Sequence, residues 1–299
     1  MRPISRRSLL TLGVAIVGGS MVANPWEGFA MRDRDGEELE RAVLSLGQRC
    51  DTLGPVRTFA EGRTLFAQLD DFRPFPARSA CRLSLTMARA ARWSRQDPQG
   101  WVTMAFDAAK QANDGPLIAR CWVEHATAMG QDTLNRAVSA GPVMRGFLVA
   151  AAVQAGSDSD VRAGAQYRLA YEHASGGEWA EARVALSHAE KAAEQAGWSH
   201  SRRGAFSGSA LWVMDELSEA EFALSDGIGC EGSCRLGSLV WLARVHVDAG
   251  APDAALEDIL QANYETREIN RHDLAPQLRA VAASLPANLR TIAIQHLDA

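Results

Sequence analysis

The chain has 299 residues, 47% of them apolar and 22% charged, with a formal net charge of −5. This balance describes an ordered chain with room for a large core, in one elongated domain or two compact ones, and excludes intrinsic disorder. With no basic surplus to neutralise phosphates, direct nucleic-acid binding by this chain alone is not expected.

Ser5-Arg6-Arg7-Ser8-Leu9-Leu10 is a positive start without acidic residues, followed by a short apolar run from Leu9 to Ala23. By itself residues 1–35 read as a twin-arginine export leader, with small residues at Ala23 and Ala30 where a peptidase could cut. The run contains Gly13, Gly18 and Gly19 and is too short for a membrane span.

Residues 36–76 read as a helical N-terminal cap. Leu39, Val43, Leu46, Val56, Phe59, Leu65, Phe66 and Leu69 recur at helical spacing, and Gly54-Pro55 divides them into two helices. The stretch from Asp70 to Pro76 holds two prolines and cannot continue a helix, which makes it the best internal boundary.

Residues 77–299 are helical throughout, with no alternating pattern that would make a strand. Helices are expected over Ser79–Ser94, Trp101–Ala112, Leu117–Ala128, Asp132–Ala140 and Met144–Ala155, separated by Gly, Pro and Asp turns. Two later stretches match each other. Gly177-Glu178-Trp179-Ala180-Glu181-Ala182 and Gly250-Ala251-Pro252-Asp253-Ala254-Ala255 each follow a helix bearing Leu-Ala, and Ala182 and Ala255 lie 73 residues apart. That interval is about two tetratricopeptide repeats. Helical pairs are therefore expected over Ala163–Ala196 and Leu236–Arg267, with a degenerate pair over Gly204–Leu224 whose core is Trp212 and Leu217. The segments Leu274–Leu285 and Pro286–Leu297 should cap the array.

In the first pair, Leu169 and Ala170 lie on the inner face of the first helix, and Trp179, Ala182, Leu186, Ala189 and Ala193 form one buried stripe on the second; Leu242, Ala243, Ala255, Ile259 and Ala262 take the matching positions in the later pair. On that reading Trp179 is structural, and Trp179→Ala should cost about 3–5 kcal/mol through a cavity. The expected fold is an all-α, tetratricopeptide-like helical-hairpin superhelix, an α-solenoid, because no pair can hide its apolar stripe alone.

No catalytic constellation stands above background, so an enzyme is not expected, nor a cofactor or a bound metal. Gly227-x-Gly229-x-x-Gly232 follows a helix where a dinucleotide fingerprint follows a strand, and Gly204-Ala205-Phe206-Ser207-Gly208 only resembles a nucleophile elbow in its letters. His173 and His246 occupy equivalent repeat positions and read as helix-packing residues. Cys81 and Cys121 read as small buried hydrophobes. Cys230 and Cys234 are the one close cysteine pair. Two free thiols, or a loop-closing disulfide in an exported protein, both fit it; zinc lacks two ligands, with only His246 nearby.

A groove lined by the first helix of each pair would present Tyr167 and Tyr171, Arg244 and Asp248, and in Leu117–Ala128 Arg120 and Glu124. Such side chains suit a protein or peptide, or a small-molecule effector. The plainer alternative is a solvated face with intrahelical ion pairs Arg120–Glu124 and Arg244–Asp248.

Arg6-Arg7-Ser8-Leu9-Leu10, a small-residue segment and Pro25-Trp26-Glu27-Gly28-Phe29-Ala30 together resemble a linker in actinobacterial regulators. Those proteins join a helix-turn-helix domain of the Cro/repressor class to a long tetratricopeptide-like array. Their linkers read Arg-Arg-x-Phe/Leu-Leu, then Ala/Gly-rich, then Pro-Trp-Glu-x-Leu-Ala. Here the match begins almost at Met1, so the resemblance implies such a regulator's sensor or protein-interaction part without the DNA-binding domain. It further implies a cytoplasmic location and, through ligand-dependent dimerisation, a possible homodimer. The leader reading implies instead an exported scaffold protein outside the cytoplasm.

Overall fold

The computed structural model describes residues 36–69, 76–130, 141–271 and 273–298. The leader or linker at 1–35, the proposed boundary at 70–75 and the helix expected over 132–140 lie outside the described residues. Among the described residues there are thirteen helices and no strand, and the helices pack as adjacent pairs in a tetratricopeptide-like, α-solenoid arrangement. None of these helices is long and apolar enough to cross a membrane. The chain divides into two compact units, Met1–Asp114 and Gly115–Ala299.

In the first unit, α1 (Gly36–Leu69) packs on α2 (Ala77–Trp93), and α2 on α3 (Gln99–Ala112). The expected break in α1 is present: Gly54 sits at φ 71, ψ 171 immediately before Pro55. Just past the kink the buried Thr58 hydroxyl donates back to Gly54 O at 2.7 Å. Leu39, Val43, Leu46, Phe59 and Leu69 are buried as the spacing predicts, whereas Val56, just past the kink, is exposed. Phe59, Met87, Trp101 and Val102 form one core cluster, with Phe66 tilted against Trp101 at 5.4 Å between ring centroids.

The second unit runs through α4 (Gly115–Gly130), α5 (Pro142–Gln154), α6 (Ser159–Ser175), α7 (Trp179–Gln195), α8 (His200–Val213) and α9 (Leu217–Gly227). It continues through α10 (Ser233–Asp248), α11 (Pro252–Glu268), α12 (Ala275–Ala283) and α13 (Ala287–Asp298). The α6/α7 and α10/α11 hairpins share one turn. Gly177 N–H donates to Ala174 O at 2.9 Å and Glu178 N–H to His173 O at 2.9 Å; Gly250 N–H donates to Val247 O at 3.1 Å and Ala251 N–H to His246 O at 2.8 Å. These paired bonds, with the glycines at φ 75 and φ 74, close each first helix with a left-handed residue. The middle hairpin, α8/α9, repeats the turn with Asp215 at φ 62 in the glycine's place. Asp215 N–H reaches Trp212 O at 2.9 Å and Glu216 N–H reaches Leu211 O at 3.0 Å. A repeat that lacks the glycine thus keeps its geometry at the cost of a strained backbone position.

The second-helix stripe is present with one correction. Ala182, Ala189 and Ala193 are buried, as are Ala255, Ile259 and Ala262, but Trp179 is 53% exposed. It is the first residue of α7, where the chain has only just left the turn, and about half of its surface stays open to solvent. The large cavity penalty expected for Trp179→Ala therefore does not apply. The middle hairpin also departs from expectation. Trp212 and Leu217 are only partly buried, and the core is built from Ala210, Met214, Ala220 and Leu224.

Glycine makes that hairpin possible. A Cβ on Gly204 would lie 2.2 Å from the Ala223 carbonyl oxygen, and one on Gly227 would lie 3.0 Å from the Ala205 backbone. The elbow-like string of letters is a close-packing surface between α8 and α9. At the C-terminal end, Leu278, Val281, Leu285, Ala293 and Leu297 close over Ile259 and Ala262. Each leucine, isoleucine or valine buried in this cluster contributes on the order of 1.5–3 kcal/mol. Arg267 and Asn263 reach the last carbonyls of α13, at 3.1 Å from Leu297 O and 2.9 Å from His296 O, and so anchor the end of the helix.

Candidate functional site

The six expected groove residues separate into different environments. Tyr167 is 1% exposed, stacked on Trp198 at 5.7 Å and flanked by Phe206, and its hydroxyl donates to Glu190 Oε1 at 2.7 Å. Burial and that carboxylate push its pKa up. Tyr167 is a core residue and not a groove surface. Glu124 is also buried. Arg120 does not pair with it: its guanidinium reaches across to Asp158 at 3.4 Å and Asp160 at 3.2 Å, at the start of α6. Asp160 also accepts from the Trp198 indole at 2.9 Å and pairs with Arg202 at 3.1 Å. Arg202 in turn lies 3.7 Å above the Trp198 ring. This cluster ties α4, α6 and α8 together and is structural.

Tyr171, Arg244 and Asp248 come together. Tyr171 on α6 lies 5.8 Å from Trp241 on α10, and Trp241 lies 5.2 Å from Trp212 on α8, so first helices of three successive hairpins meet in one aromatic group. Arg244 sits over both indoles, 5.6 Å from the Trp212 centroid and 5.9 Å from that of Trp241. Asp248 accepts from the Trp212 indole N–H at 2.7 Å. The intrahelical pair Arg244–Asp248 is not formed; the indole takes the carboxylate, and the rings take the cation. Among the described residues Arg244 makes no ion pair, and burial lowers its pKa against the opposing pull of Tyr171 and Asp248. Trp212, Trp241 and Arg244 are half-buried, Asp248 is exposed and Tyr171 is closed off beneath them. Chemically the arrangement offers flat apolar area and a planar donor fork with no hydrogen-bond partner among the described residues.

Sequence reasoning missed Trp241 entirely and expected Trp212 in the core, against which it does pack while staying only half-buried. The available signal was aromatic spacing on first helices, but which rings meet depends on the angles between hairpins. The recurrent histidines are held by carboxylates. His173 Nδ1 lies 2.6 Å from Glu178 Oε2, and His246 Nδ1 lies 2.7 Å from Asp258 Oδ2 with Glu221 at 3.5 Å from Nε2. They join helices within and between hairpins.

Cys50, Cys81 and Cys121 are buried, whereas Cys230 and Cys234 are half-exposed, and all five are free thiols. No group of three or more His, Cys, Asp or Glu side chains able to hold a metal ion occurs among the described residues. Compared with protein-family models and with curated proteins, the chain matches none.

Proposed function

We propose that this chain is a non-catalytic, tetratricopeptide-like binding module, the sensor or protein-interaction part of a bacterial transcriptional regulator. It takes a protein or peptide segment across the strip formed by Trp212, Trp241 and Arg244, which Tyr171 supports from beneath. The observation that carries this reading is Arg244, a half-buried cation set on two indoles with no ion pair among the described residues. Aromatic and arginine side chains in partly desolvated positions are the groups that dominate recognition energetics, because they combine area with directed donors. The regulator assignment rests on the Arg6-Arg7 and Pro25-Trp26-Glu27 strings together with the helical-hairpin array.

An immobilised peptide library tests the binding role. The wild-type chain should retain a subset of sequences above their scrambled controls, and Trp241→Ala and Arg244→Ala should each weaken retention by about tenfold or more. Retention equal for scrambled peptides, or unaffected by both substitutions, would overturn the reading. The twin-arginine pattern at Arg6-Arg7 supports a second reading, an exported scaffold protein. A mature form beginning near Asn24 or Met31 and found outside the cytoplasm would replace the regulator role with that one.

A further inference from the structure

The connection between α9 and α10 brings together two thiols that the binding strip does not use. Gly227 ends α9, Cys230 N–H donates to Gly227 O at 3.0 Å, and Gly232 caps α10 at φ 60, ψ −130. Cys234 is the second residue of α10, so only the turn residues 231–233 separate the two cysteines, and the Cys234 thiol lies within hydrogen-bonding reach of Cys230. Both are half-exposed, in contrast to the fully buried Cys50, Cys81 and Cys121. We propose that Cys230 and Cys234 are a reversible thiol-modification site, which closes to an intramolecular disulfide on reaction with a low-molecular-weight disulfide.

The two cysteines have different parts. Cys234 lies in the first turn of a helix, where N–H groups lack helical acceptors and favour a negative charge. Burial raises the Cys230 pKa, with Cys234 and Arg202 opposing. Cys234 therefore attacks as the thiolate. Its sulfur bonds to one sulfur of the external disulfide, whose other sulfur leaves as a thiolate and takes up the proton Cys234 gave up. The Cys230 thiol then loses its proton and attacks the Cys234 sulfur, expelling the second external thiolate, which takes that proton. The protein pair is oxidised by two electrons, and the external disulfide is reduced to two thiols. The bond joins the end of the second hairpin to the start of the helix that carries Trp241 and Arg244.

The test treats the folded full chain with oxidised glutathione and reads peptide masses. Trypsin releases residues 204–235 as one peptide containing both cysteines. In the wild type that peptide should lose two hydrogens, carry no glutathione, and regain its mass with dithiothreitol. Cys230→Ser should trap one glutathione on Cys234, while Cys234→Ser should react about tenfold more slowly. The proposal is overturned if the wild-type peptide stays unmodified, retains glutathione, or links two chains. Equal reactivity of the two serine variants would overturn the assignment of roles.

Discussion

The α6/α7 and α10/α11 hairpins share a backbone and differ in how they use it. Both close on a left-handed glycine, both bury alanine at the same crossing points, and both place a histidine four residues before that glycine. In the first, His173 turns to Glu178 in the exposed turn. In the other, His246 reaches Asp258, which stands inside the hairpin at the position equivalent to the buried Ala185. Helical pairing is thus set by small residues and turn chemistry, while polar contacts are settled by whichever carboxylate the local packing brings within reach.

The comparison is most sharply tested at the second-helix core. Leu186 is partly buried, and its counterpart Ile259 is fully enclosed by the capping helices. Ile259→Ala should cost about 3–4 kcal/mol in urea unfolding, clearly more than Leu186→Ala. Equal losses would mean that the cap does not bear on α11.

Next in size is Asp258→Ala, expected to cost about 1–2 kcal/mol by removing the acceptor of a half-buried imidazole. The two carboxylates should also titrate in opposite directions. Burial raises Asp258, so its contribution to stability is full below the ordinary aspartate range and is lost as pH rises through the raised value. The His173 hydrogen bond lowers Glu178, so its contribution is present above the ordinary glutamate range and is lost as pH falls through the lowered value. Carboxyl NMR titration of the folded chain reads both, and a matching direction at the two sites would break the contrast.

The shared turn predicts a smaller effect. Gly177→Ala and Gly250→Ala meet no atom within 4 Å yet force a side chain into left-handed backbone, so each should destabilise by about 1 kcal/mol. Asp215→Gly should stabilise by up to about 1 kcal/mol, since the middle hairpin already carries that strain. The smallest effect belongs to Trp179→Ala, which should stay within about 0.5 kcal/mol of wild type in thermal unfolding because the indole is exposed.

Several features were legible beforehand for local reasons. The break at Gly54-Pro55, the helical pairs and the Gly177 and Gly250 turns each depend on residues a few positions apart. Trp179 was misjudged because helical spacing says which face a residue occupies, but not whether anything lies above it. Gly204 and Gly208 resembled a catalytic string because close approach between two helices leaves no mark except small residues. Of the six groove residues, Arg244 and Asp248 reach the half-buried cluster above Tyr171, while Tyr167 belongs to the core and Arg120 to a cross-helix ion pair.

The order of amino acids alone determined an all-helical chain, the limits of its best hairpins and the small residues at their crossings, since turn conformation and apolar period are local properties. Only the packed structure decided which rings share a surface, which arginine stands on two indoles, and which tryptophan faces water. Those outcomes depend on the rotation of one hairpin against the next, and that rotation is fixed by contacts between residues far apart along the chain.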